Sequence, residues 1–220
     1  MKSRFFFLIV SVLLGTVSFE TRAASFKLEP TSEIPAEASA GIKALLQPQG
    51  YRILNDQGAP WCEVWIRKEI ATSGKSGSGE AKYPDLHVGQ LVGLMKFSSP
   101  AADYRGQSIK PGIYTLRYCL ILQDGNHLGV APIPDFVLLI PASEDSSEPD
   151  AVMNTPEVVA MSRKTTGTNH PAVINLAPPG TGEPGLEKDD LDHWVLKAKT
   201  QSAAKADLPI SIVVFGKTEG

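Results

Sequence analysis

Residues 105–141 read RGQSIKPGIYTLRYCLILQDGNHLGVAPIPDFVLLIP, and this stretch decides the fold class. Lys110-Pro111-Gly112 is a turn, because proline presets φ and glycine takes the position that needs φ > 0. From Ile113 to Leu122 the side chains alternate with the period of a pleated strand. Tyr114, Leu116, Tyr118, Leu120 and Leu122 make one apolar face; Thr115, Arg117 and Cys119 lie on the other. Gln123 to Asp135 is a loop rich in Gly, Pro, Asp and Asn with one His, and Phe136 to Ile140 is an apolar run of buried-strand length. Two such strands across a polar loop are a hairpin, the unit of an antiparallel sheet.

The same pattern repeats outward from the hairpin. Phe26–Glu29, Tyr51–Leu54, Trp61–Lys68, Leu91–Phe97, Ala172–Leu176, His193–Lys199 and Pro209–Gly216 read as strands. In Trp61–Lys68, Cys62, Val64 and Ile66 share one face, and Trp61, Glu63, Trp65 and Arg67 the other. Gly93, amid apolar residues on both sides, marks a central strand. Pro35–Leu46 has helix formers with Ile42, Leu45 and Leu46 at helical spacing, and Thr155-Pro156-Glu157 opens a second short helix that ends near Gly167. Ala71–Tyr83, containing TSGKSGSGE, is a flexible loop, and SEDSSEPD at 143–150 is acidic and solvated. About eight strands with two short helices and no βαβ rhythm predict an all-β antiparallel sandwich, jelly-roll or immunoglobulin-like. No linker or internal repeat splits the chain, so residues 24–220 form a single domain.

The first residues carry the address. Met1–Arg4 is basic, Phe5–Phe19 is uncharged and largely apolar, and Thr21-Arg22-Ala23 offers small residues for cleavage after Ala23. The apolar run is shorter than the roughly 20 residues a membrane-spanning helix needs. Residues 1–23 therefore read as a secretory signal peptide, and the protein is expected to be exported, periplasmic or extracellular, with no further membrane anchor. Losing residues 1–23 moves the formal charge from −3 to −5. A mildly acidic chain with scattered cations argues against nucleic acid and against an anionic membrane surface.

Export permits a disulfide between Cys62 and Cys119. Face alternation argues against it: with apolar faces inward, Cys62 points in and Cys119 out, beyond the reach of one bridge.

Two clusters could carry chemistry. Asp124-Gly125-Asn126-His127 with Asp135 could form a metal site or an acid/base pair, with His170 as a further ligand. The same residues also serve as a turn closed by side-chain to backbone hydrogen bonds, the simpler reading of an irregular spacing. Ser162-Arg163-Lys164 through Thr168-Asn169-His170 could hold an anion, but it follows a helix C-terminus, whose dipole repels one. The chain has no G-x-S-x-G, H-E-x-x-H or C-x-x-C, which leans away from an enzyme, and the sequence leaves any cofactor open. His87 and His193 are most simply solvated. Trp61 and Trp65, with Tyr83 and Tyr104, could make a stacking platform for a sugar ring, or pack beneath a loop or helix.

VWIRK (64–68), YRGQSIKPGIYTLRY (104–118), DGNHLG (124–129), DFVLLIP (135–141) and SRKTTGTNHP (162–171) together resemble a group of small exported bacterial proteins of unknown function. That resemblance implies a secreted bacterial origin and a β-rich fold, and it brings no activity or site residues. PGIYTLRY alone is also similar to strands of broader periplasmic β-sandwich families. Taken together, the expectation is a non-catalytic binding domain for a carbohydrate, small ligand or envelope protein, with Trp61, Trp65, Asp124, His127, Asp135 and His170 as candidate contacts. The alternatives are a metal-binding protein or metal-dependent enzyme built on Asp124 and His127, and a structural envelope component.

Overall fold

Strand alternation in the 105–141 region becomes geometry in a computed structural model that describes residues 25–72, 81–121 and 133–216. In chain order the elements are β1 (Lys27–Thr31), α1 (Ala40–Leu45), β2 (Gly50–Leu54), β3 (Pro60–Ile66), β4 (Glu69–Ile70), β5 (Leu91–Phe97), β6 (Ala101–Ala102), β7 (Ser108–Ile109), β8 (Gly112–Leu120), β9 (Asp135–Pro141), α2 (Thr155–Thr166), β10 (Val173–Asn175), β11 (Gly185–Lys188), β12 (Trp194–Ser202) and β13 (Asp207–Phe215). The long strands are those expected from alternation and from the short apolar runs. The additional ones, β4, β6, β7 and β11, have two to four residues, too few for a periodic signal.

Seven strands form one antiparallel sheet in the order β1-β2-β3-β5-β8-β9-β10. Tyr114 opposite Pro141 and Leu120 opposite Asp135 set the register of the β8–β9 hairpin. A second sheet holds β11, β12 and β13, with β4 joining β12 in parallel. An isolated bridge from Leu176 to Ile212 links the two sheets at one edge. The sandwich expected from the sequence is present. Its large sheet runs as a meander, unlike the Greek-key order of jelly-roll and immunoglobulin-like sandwiches.

The main core lies between the sheets: Cys62, Val64, Met95, Leu116, Tyr118 and Val137 from one meet Leu196, Ile210, Ile212 and Val214 from the other. The outer face of the large sheet is covered as well. At one end α1 and its neighbours pack over Trp65 and Leu94. At the other, α2 lays Val158, Ser162 and Thr165 inward, over Cys119, Phe136, Leu138 and Ile140. The Ser162 and Thr165 hydroxyls donate to the Leu139 carbonyl at 2.7 and 2.8 Å, so the helix is bonded to the sheet as well as packed on it. Asn154, one residue earlier than expected, caps α2 through a capping box with Glu157, and Gly167 closes it at φ 66°, a left-handed conformation glycine adopts without steric cost.

The acidic stretch 143–150, expected to be solvated, is a strap across this outer face. Arg117, 1% exposed, makes a bidentate pair with Asp145 at 2.7 and 2.9 Å, and its remaining N–H groups donate to the carbonyls of Gly89, Ser147 and Glu148. Arg67, 4% exposed, holds Asp150 through two hydrogen bonds of 2.7 and 3.0 Å. A buried guanidinium requires a paired carboxylate, and the two arginines on the outward faces of their strands recruit the strap. Covering both faces of the sheet leaves Cys62 and Cys119 buried on opposite sides, both as free thiols.

Candidate functional site

Trp61 and Trp65 do not share a face. Ile53 opposes Cys62 while Leu54 opposes Pro60, so Trp61 is the extra residue of a β-bulge and turns onto the face of Cys62. There it meets Phe26, Phe97 and Phe215 edge-on, and its indole N–H donates to the Val214 carbonyl at 2.8 Å. Trp65 faces the other way and is fully buried beneath α1, with no surface for a sugar ring. Gly50 makes room for it: a Cβ there would lie 2.5 Å from the indole. Tyr83 is likewise internal, its hydroxyl donating to Ala177 O and accepting from Ser211 N. A strict alternation places the two tryptophans together; one inserted residue separates them.

Asp124 and His127 lie outside the described residues. Asp135, fully buried, accepts the backbone N–H groups of Lys82 and Tyr83 at 2.8 and 3.0 Å and the Tyr118 hydroxyl at 2.7 Å. These bonds tie the segment before β5 to the β8–β9 hairpin, a structural role for the Asp135 carboxylate. His170 is exposed in the turn after α2, where its carbonyl accepts from the Thr166 and Thr168 hydroxyls. The hydroxyls once candidates for anion binding are thus committed to the turn, and Ser162 to the sheet. Among the described residues no three of His, Cys, Asp and Glu gather as metal ligands.

The structure instead builds a cleft where β13 passes the β6–β7 hairpin. Trp61, Ala102, Tyr104, Ile174, Val213 and Phe215 contribute to its walls, around about 300 Å³ of space. Asp103 fixes the lip. Its buried carboxylate accepts the backbone N–H groups of Arg105, Gln107 and Val173 at 3.0, 2.7 and 3.1 Å, and the Gln107 amide at 2.9 Å. Three of these donors close the hairpin's own turn and the fourth, the Val173 N–H, ties it to β10, while Ala101 and Ile109 pack the hairpin into the main core.

Behind the Tyr104 wall lies a polar chain. The Tyr104 hydroxyl is 3.2 Å from Nε2 of His193, whose Nδ1 is 3.1 Å from the Asp189 carboxylate. The other Asp189 oxygen accepts the backbone N–H groups of Leu191 and His193, both at 2.9 Å, so the carboxylate is anchored. The Asn175 amide lies close enough to the same phenol to influence it, and its Nδ2, buried, has no hydrogen-bond partner. Burial raises the Tyr104 phenol above its ordinary range; the Asn175 amide opposes the rise and the Asp189 charge adds to it. Tyr104 is therefore a neutral donor and acceptor at physiological pH, and no activated nucleophile. His193, expected to be solvated on an outward strand face, does face outward, yet Tyr104 covers it to 4% exposure.

Sequence reasoning missed Tyr104, His193, Asp189 and Asn175 as one group. Each falls in a different segment, and only the Asp-x-x-x-His spacing of Asp189 and His193 hinted at a local pair. A second groove of about 410 Å³, bordered by Leu28, Pro30, Gln47, Gly50, Tyr51 and Pro184, has no comparable buried polar chain among its wall residues. The chain matches no family model, no curated protein and no solved structure with which it was compared.

Proposed function

We propose that this chain is an exported β-sandwich protein that binds a small, largely apolar ligand without turning it over, in the cleft between β13 and the β6–β7 hairpin. The observation that carries the reading is the preformed cleft itself. Its walls are aromatic and aliphatic, and its lip is held by the Asp103 carboxylate rather than by anything a ligand would have to organise. Concave apolar sites with a few placed polar groups are where small ligands are held. Preorganisation lowers the ordering cost of binding. The neutral Tyr104 phenol supports binding over catalysis. Burial of Trp65 weighs against the Trp61–Trp65 sugar platform, leaving Trp61, Tyr104 and Phe215 as the aromatics a ring could meet in the cleft.

The test is a ligand screen by amide chemical shifts with monosaccharides, small apolar acids and small apolar amines, repeated on Ala102→Trp, which fills the cleft. Shifts clustered on Ala102, Tyr104 and Val213–Gly216, and lost in the variant, are expected. Binding that maps elsewhere, or that survives Ala102→Trp unchanged, defeats the assignment. Export is checked separately: intact mass of the protein from the cell envelope or medium should begin at Ala24.

A further inference from the structure

We propose that Asp189, His193 and Tyr104 form a proton-operated polarity switch in the wall of the cleft. Its role in ligand binding rests on the cleft reading above; the switch itself does not.

The argument is one of hydrogen-bond direction. Asp189 is anchored by two backbone N–H groups and presents its other oxygen to Nδ1 of His193. An anionic acceptor there keeps the proton of neutral imidazole on Nδ1, leaving Nε2 bare. Bare Nε2 accepts, so the Tyr104 hydroxyl donates to it across 3.2 Å. When His193 takes up a proton, Nε2–H becomes a donor and the Tyr104 oxygen must accept. The phenolic proton then turns away from His193. Protonation of the imidazole therefore selects the direction of the Tyr104 hydroxyl.

The charged groups around His193 come from two directions. Asp189 and Asp192 lie on its own segment, with Asp192 paired to Lys188. Tyr104 faces it from the β6–β7 hairpin, and the Gly216 backbone from the end of β13, where a Cβ would lie 2.4 Å from the imidazole. Tyr104 and Gly216 both line the cleft. Protonation therefore places a positive charge directly behind the wall and reorients the Tyr104 hydroxyl. An apolar molecule with an anionic end gains from that charge, and a cationic one loses.

Long-range proton–nitrogen spectra of the ligand-free protein test the switch. Neutral His193 should show the Nδ1–H tautomer, and the Tyr104 ring carbons and the Gly216 amide should shift with the same midpoint as the imidazole. Asp189→Asn, read at a pH where the imidazole is neutral, should transfer a large fraction to the Nε2–H form. Neutral wild-type His193 in the Nε2–H form, or Tyr104 signals that stay flat through the His193 titration, overturns the proposal. The cleft is tested apart from it with 1-anilinonaphthalene-8-sulfonate, whose affinity should rise severalfold as His193 protonates. Unchanged affinity with an intact NMR response defeats the cleft reading and leaves the switch standing.

Discussion

Removing Asp145 isolates the most heavily invested contact in the fold. Arg117 satisfies its five N–H groups with Asp145 and the carbonyls of Gly89, Ser147 and Glu148. Asp145 in turn accepts from Arg117, the Thr115 hydroxyl at 2.6 Å and the Ser147 N–H at 3.2 Å. Both charged side chains are 2% exposed or less. Asp145→Ala leaves a buried guanidinium without a counter-charge, a defect that costs about 3–5 kcal/mol. With a urea slope of about 2–3 kcal/mol/M for a chain of this size, the unfolding midpoint should fall by roughly 1–2 M. The double variant Arg117→Met/Asp145→Leu, which removes both charges and restores apolar contact, should recover most of that loss. Circular dichroism at fixed pH follows all three proteins. A loss below about 1 kcal/mol for Asp145→Ala would refute the reasoning, because it would mean that water reaches Arg117 beneath the strap.

Three further outcomes follow from the same coordinates. Glu63 and Asp150 are both held below the usual carboxylate range: Glu63 by hydrogen bonds from Arg52 and Lys96 that outweigh the rise burial alone would cause, Asp150 chiefly by its hydrogen bonds to Arg67. A carboxylate depressed on folding adds stability above its unfolded value and loses it as pH falls through the folded one. The Asp150→Asn deficit, about 0.5 kcal/mol after solvent screening, should therefore be present at pH 7 and vanish as pH drops below about 4; a deficit that persists in acid contradicts the sign. Gly93→Ala would set a Cβ 2.3 Å from the Trp65 carbonyl in the middle of the large sheet, and should lower stability by about 1–3 kcal/mol, so an unchanged melting temperature counts against the packing described. Burial pushes the Cys119 thiol up to about 12 and the Cys62 thiol higher still, so neither should react with a thiol reagent until the protein unfolds, and oxidation should give no loss of two hydrogens in the intact mass.

Much of the architecture is readable from local pattern. The period-2 runs that begin at Ile113 and His193 became β8 and β12, with faces as expected over the described residues, since alternation depends only on the pleat. The face assignment of Cys62 and Cys119 came out the same way, and their separation follows. The errors share one cause. Trp61 changes face because of a bulge, and a bulge is set by the partner strand β2 rather than by β3 itself. His193 looked solvated because polarity was taken for exposure, and Tyr104 covers it; the 143–150 segment is largely exposed as read, except that the Asp145 carboxylate is buried on Arg117. The cleft was illegible for a related reason. Tyr104 and His193 are 89 residues apart, and no spacing rule links them.

By itself the sequence determined the long strands, the presence of the two helices and the inward face of each long strand, because these depend on residues within a few positions of one another. Only the tertiary structure decided which outward faces meet water and which are covered. It also decided which of the scattered polar residues face one another in a cleft. Coverage is a property of a distant partner: an arginine on an outer face is a solvated charge until Asp145 is laid over it, and a histidine is a surface residue until a tyrosine closes above it.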